Sequence, residues 1–174
     1  MKVWLLTILF LCSVEVYALT ASVGVSGGVV IPLDDALQNG YLVSGRVSLL
    51  PTQYISIYGE IGLGRGMVNS MHYSMMPFYF GSGLAFPAKR WLRLVADFGF
   101  GYVRHVGIVS NKPVSSLSFR LGGGVRFFQD IRYPLFFGVG IYRSFVGGSD
   151  CEGEGLKMLS IDNMSISVIF GYNL

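Results

Sequence analysis

Six charged side chains, Arg46, Glu60, Arg93, Asp97, Arg120 and Arg126, stand in stretches that otherwise alternate between large apolar and small polar residues. Guanidiniums and carboxylates in such a setting either pair with one another in an interior or line a route for ions. Three other groups have chemistry to weigh. His72 and Ser74 share a parity, as a base and a nucleophile on one strand face would, but no acid on that face orients the imidazole, so the constellation is incomplete and reads as a polar loop end. Met67, Met71, Met75 and Met76 around His72 offer soft donors of the kind Cu(I) takes, although scattered methionines more often fill gaps. Asp150, Glu152 and Glu154 resemble part of a Ca²⁺ loop, but their alternation with glycine reads as a solvated turn. No catalytic residue, metal site or cofactor is assigned.

The stretches that position the six charges number eight: 20–31, 41–50, 54–64, 75–86, 91–103, 116–128, 134–144 and 164–174. Each alternates with period two, the signature of a strand with two unlike faces. In 91–103, for example, Leu92, Leu94, Ala96, Phe98, Phe100 and Tyr102 oppose Arg93, Val95, Asp97, Gly99 and Gly101. All six charges fall on the face opposite the large apolar residues, whereas a soluble barrel would bury the apolar face. The pattern predicts an all-β, eight-stranded, antiparallel up-and-down transmembrane barrel, apolar outside and polar within. Connections predicted long (32–40, 65–74, 104–115 and 145–163) alternate with short ones, and an even strand number puts both termini on the side of the short turns, the periplasmic side.

Composition agrees. The 174 residues are 52% hydrophobic and 13% charged and include 24 glycines, too little charge and too much glycine for an ordinary soluble domain. Residues 1–18 read as a cleaved signal peptide: Lys2, an apolar run from Val3 to Cys12, and the small-residue exit Val16-Tyr17-Ala18. A lipoprotein signal at Cys12 is disfavoured by the bulky Leu11 before it. Residues 19–174 then form the barrel domain, no peptidoglycan-binding domain is expected after it, and Cys151 is left without an intramolecular disulfide partner. A net charge of +3 gives no nucleic-acid-binding balance.

The last stretch carries Met164, Ile166, Val168, Phe170, Tyr172 and Leu174 on one face. It resembles the closing strand by which bacterial outer-membrane β-barrels are recognised by their insertion machinery, with Leu174 where that family usually has Phe. With the strand count, it makes the mature chain similar to the small OmpA/OmpX-like barrels and, in size, to the OmpW-like ones. The resemblance implies a bacterial outer-membrane protein, non-enzymatic, structural or adhesin-like, with a surface or host ligand at the outer loops; the alternatives are a narrow OmpW-like barrel for transport of small apolar molecules and a lipid-modifying enzyme.

An eight-stranded barrel is only wide enough for side chains to fill its interior. Arg46, Glu60, Arg93, Asp97, Arg120 and Arg126 are therefore expected to form a polar network in the lumen. A tight turn pairing Leu50 with Tyr54 would set Arg46 one diagonal step from Glu60, with Arg120 near Asp97. Interior glycines either make room for Tyr58, Tyr79, Phe128 and Tyr142 or leave a narrow conduit. Arg65, Arg104 and Arg143, at the ends of strands, are expected to meet outer-leaflet lipid headgroups. Arginine at lumen-facing Ser118 is expected to cost less than at Phe119 or Leu121.

Overall fold

A computed structural model describes residues 20–33, 37–52, 54–68, 71–106, 114–129, 133–146 and 162–174. The signal segment 1–18, Cys151 and the acidic residues 150–154 lie outside them. Eight strands follow in chain order: β1 Thr20–Pro32, β2 Leu37–Leu50, β3 Ile55–Val68, β4 Met71–Lys89, β5 Leu92–Val106, β6 Val114–Phe127, β7 Leu135–Val146 and β8 Asn163–Asn173. Each pairs antiparallel with the next, and β8 closes on β1, with Val23 opposite Tyr172 and Val25 opposite Phe170. Closure leaves no strand edge unpaired, which a bilayer interior requires of any sheet.

Alternation becomes inside and outside. Phe80 is 69% exposed and Leu63 61%, and exposed apolar side chains of this kind stand outward on all eight strands, while Ser44, Tyr58, Glu60, Asp97 and Arg120 are buried within. So continuous an apolar belt is far larger than a monomer keeps in water. The chain is a transmembrane barrel.

The strands are longer than the alternation of large apolar residues indicates. A tilted strand of roughly ten residues crosses a bilayer, yet β4 has 19 residues and β5 has 15. Residues 65–74, predicted to be a long loop, are mostly strand, so that β3 and β4 are joined through 69–70 alone. Likewise 104–106 extend β5. The physical reason is that outward side chains turn polar once a strand leaves the hydrocarbon, so the apolar alternation fades while the ladder continues. At this end the connections are 33–36, 69–70, 107–113 and 147–162, so the predicted alternation of long with short is corrected: 147–162 alone is longer than any at the other end. The connections 51–54, 90–91 and 128–134 lie at the opposite end, together with the starts of β1 and the close of β8. Pro77 sits in β4 opposite Val103; lacking an N–H, it coincides with a break in the β3–β4 ladder between Ile61 and Gly64.

Candidate functional site

The lumen is built by every second residue of each strand, and its middle is charged. Arg46 on β2 stands directly opposite Glu60 on β3, because Leu49 pairs with Ile57. The predicted Leu50–Tyr54 turn is thus replaced by a wider one, in which the Thr52 hydroxyl accepts the N–H groups of Tyr54 at 3.2 Å and Ile55 at 3.0 Å, a side-chain mimic of a backbone turn. The two-residue shift in register turns a diagonal neighbour into a direct one.

Arg46 Nη2 lies 2.8 Å from Glu60 Oε2, and its Nη1 lies 2.9 Å from Asp97 Oδ2. Arg120 takes Glu60 in a fork, Nη1 to Oε1 at 2.8 Å and Nη2 to Oε2 at 2.6 Å, the planar bidentate geometry that guanidinium favours. Ser44 donates to Glu60 Oε1 at 2.8 Å. Asp97 Oδ2 also accepts from Arg126 Nη2 and from the Tyr142 hydroxyl, each at 3.2 Å. Arg120 and Asp97 are diagonal neighbours on β6 and β5, as expected, Arg120 being opposite Gly99 and Asp97 opposite Gly122, but the guanidinium of Arg120 takes its hydrogen-bonded partner across the lumen, in Glu60. Arg93 lies opposite Arg126 near the short-turn end of β5 and is half-buried.

Aromatic rings complete the layer. The Arg46 guanidinium sits 3.9 Å above the Tyr58 ring, and that of Arg120 is held between Tyr79 at 4.5 Å and Tyr142 at 4.6 Å, each a desolvated cation–π contact. Tyr79 is tied by its hydroxyl to Ser118 at 3.0 Å and Ser144 at 3.3 Å. Ser118 is consequently a packed position, where an arginine is expected to cost more than its lumen-facing side alone implies. Glycine gives these rings their space: a Cβ on Gly99 would stand 2.8 Å from the Tyr58 hydroxyl, and one on Gly140 2.7 Å from the Tyr142 ring. Phe128 is not among the rings so housed. With φ of 60° it turns outward, exposed, against Tyr133 and Phe137.

Toward the long connections the lumen is apolar, filled by Val30, Leu37, Tyr73, Met75, Val103 and Val146. His105, 1% exposed, belongs to the same end; its ring lies 6.3 Å from that of Tyr73, and neither ring nitrogen has a hydrogen-bond partner among the described residues. Sequence reasoning missed this layer by assigning 104–115 to a loop, although the inward parity of Asp97, Gly99, Gly101 and Val103 runs straight on to His105. Toward the short turns, Phe136 and Ile169 pack beneath Tyr142.

Outside, Arg65, Arg104 and Arg143 are exposed two or three residues before their strands end. His72 and Ser74 are also exposed and outward on β4, while the acids of the strands, Glu60 and Asp97, face inward. Met75 points into the lumen, away from His72, whereas Met76 and Met67, the latter directly opposite His72, lie on the outward parity; no cluster of three or more His, Cys, Asp and Glu suited to a metal is found among the described residues.

No family model and no curated protein matches the sequence. Solved structures do. Neisserial surface protein A (NspA) aligns over 91% of this chain and 97% of its own at 7% identity with a TM-score of 0.65. Ail, the attachment invasion locus protein of Yersinia pestis, covers 91% and 100% at 11% identity with a TM-score of 0.59. The outer-membrane enzyme PagL covers 87% and 98% at 15% identity with a TM-score of 0.52. At such identities the likeness is one of architecture, and the roles of these barrels differ. In fold, the chain belongs with the small eight-stranded barrels of bacterial outer membranes.

Proposed function

We propose that this protein is a non-enzymatic barrel of a bacterial outer membrane whose lumen is a plug and whose work is done at the membrane surface. The observation that carries the reading is the bonded cluster of Arg46, Glu60, Asp97, Arg120 and Arg126. It joins β2, β3, β5 and β6 across the interior, with Tyr58, Tyr79 and Tyr142 stacked on its cations. The cavity beside it measures about 20 Å³, room for about one water. Passage of solutes would require the cluster to come apart, and transport of small apolar molecules finds no support in so charged a layer.

In this reading residues 1–18 direct export, the closing strand Met164 to Leu174 is read by the insertion machinery, and the short-turn end with both termini faces the periplasm. Arg65, Arg104 and Arg143 then ring the opposite end, placed for lipid phosphates, and the connections 107–113 and 147–162 meet a partner at the cell surface. Ail, which shares the fold, has been crystallised with a heparin analogue, sucrose octasulfate, so such a barrel can present a ligand site. The outward His72 and Ser74, with the strand acids turned inside, argue against the lipid-modifying alternative.

The test combines location with conductance. Protein expressed in a Gram-negative host should fractionate with the outer membrane, migrate faster unheated than heated in detergent gels, and give no ion steps in planar bilayers. Regular conductance steps would overturn the plug, and recovery in the soluble periplasm would overturn the membrane assignment.

A further inference from the structure

The outward face of β4 carries His72 and Ser74, exposed polar side chains that take no part in the lumen. Register sets what stands beside them. Ser74 is directly opposite Arg65 on β3, and Arg65 in turn is directly opposite Tyr41 on β2. On the other side of β4, Arg104 on β5 is opposite Met76, the next outward residue after Ser74. Arg65 and Arg104, both exposed, thus flank Ser74 from its two neighbouring strands. Two strand spacings and one two-residue step separate their Cα atoms by about 12 Å, a gap that two arginine side chains close from either side. His72 stands one outward step from Ser74, toward the 69–70 turn. Arg143 on β7 is apart from this group, opposite Leu121 and Met164, with its guanidinium 4.7 Å from the Phe145 ring.

The group holds donors and cations without an acid. Of the acids among the described residues, Glu60 and Asp97 face inward, and Asp162, before β8, accepts the Val146 N–H at 2.8 Å. Among the described residues no carboxylate bonds to Arg65 or Arg104. Toward the middle of the bilayer the next outward residues are Leu63 on β3, Met76 on β4 and Tyr102 on β5, with Leu63 61% and Tyr102 47% exposed. Guanidinium and hydroxyl donors above an apolar wall suit an amphiphile with an anionic head.

We infer that Arg65, Ser74 and Arg104 form a site for one phosphomonoester group on a membrane lipid, with His72 and Tyr41 at its rim and the lipid's chains along Leu63 and Tyr102. A tetrahedral dianion offers oxygens to a guanidinium fork on each side, and the serine hydroxyl between the forks donates to a further oxygen. A free phosphate meets the same donors but gains nothing from the wall beneath them. The site gives His72 and Ser74 a binding role, which needs no acid to orient the imidazole. The inference rests on the reading that this end of the barrel lies in the outer leaflet, and it narrows the contact with lipid phosphate to β3, β4 and β5.

Native mass spectrometry of the folded barrel, released from detergent micelles, counts retained lipid as phosphatidic acid is titrated, with diacylglycerol of the same chains and inorganic phosphate as comparisons. One phosphatidic acid per barrel should be retained tightly, and the other two should be held more weakly by about ten-fold or more. Arg65→Gln and Arg104→Gln should each weaken retention about ten-fold, and Ser74→Ala by less. Arg65→Lys, which keeps the charge but loses the fork, should also weaken it. The shift between heated and unheated gels shows which variants fold, and if one glutamine variant does not, the other decides. Equal losses in Arg143→Gln and Arg65→Gln, or an Arg65→Lys that binds as the parent does, would replace the site by diffuse attraction to any cation. Inorganic phosphate held as tightly as the lipid would overturn the lipid as occupant. Orientation is read separately, from an epitope inserted in 147–162. Lipid lost from a barrel whose epitope is displayed on intact cells removes the phosphate site alone, whereas an epitope hidden on intact cells removes the reading on which the site rests.

Discussion

Glu60 is the acceptor for Arg46, Arg120 and Ser44 at once, so its removal takes the carboxylate from buried Arg120 and leaves Arg46 with Asp97 alone. Breaking a buried pair from one side costs about 3 to 5 kcal/mol, and Glu60→Ala is expected to lose stability in that range, measured by urea unfolding from lipid vesicles. Ser144→Ala, which removes only the 3.3 Å contact to Tyr79, should cost less than about 1 kcal/mol. Equal losses in the two variants would show that the cluster is hydrated and contributes little. Parity alone made the inward facing of these charges legible, because a period-two pattern needs no register. Their partners were not legible: a wider turn moved Arg46 opposite Glu60, and Arg120 reaches an acid three strands away, a choice made by side-chain length across a narrow lumen.

At the scale of the strand, glycine decides how sharply the sheet coils. A Cβ on Gly101 would overlap the carbonyl oxygen of Phe78 on β4, so the two backbones approach there as only a residue without a side chain permits. Gly59, outward on β3, has nothing within 4 Å of such a Cβ. Gly101→Ala is therefore expected to destabilise the barrel by more than about 1 kcal/mol or to reduce the folded band in unheated gels, while Gly59→Ala should stay within about 0.5 kcal/mol of the parent. A well-tolerated Gly101→Ala would mean that β4 and β5 do not approach so closely. Strand number, order and facing were readable because the bilayer forces apolar and small residues to alternate. The outer extensions of β3, β4 and β5 were not, since beyond the hydrocarbon that force no longer acts on the outward face. Nor was the outward turn of Phe128, which depends on one residue at φ of 60°, a conformation that only a few per cent of residues other than glycine adopt.

For the whole molecule the bilayer is the solvent, and the belt that faces it should be sensitive to charge according to depth. Leu121 is outward at the eighth of the 14 residues of β6, where it pairs with Phe98 on β5. Leu49 is outward one residue before the end of β2, beside the short turns. An arginine at the midplane of such a barrel costs about 2 to 4 kcal/mol and near an interface about 0 to 1. Leu121→Arg should therefore lose several times the stability that Leu49→Arg loses when both are unfolded by denaturant from vesicles. Ser118→Arg supplies the inward control. In an open, watery lumen it would be nearly neutral, but Ser118 is 2% exposed and bonded to Tyr79, so the added guanidinium must displace the rings that hold Arg120. It should cost at least as much as Leu121→Arg, for packing and unpaired charge rather than for lipid contact. Changing the bilayer to thinner lipids separates the two causes: the Leu121→Arg penalty should shrink as the interface moves closer, and the Ser118→Arg penalty should not. Parallel responses of both variants to bilayer thickness would mean that the assignment of inside and outside is wrong.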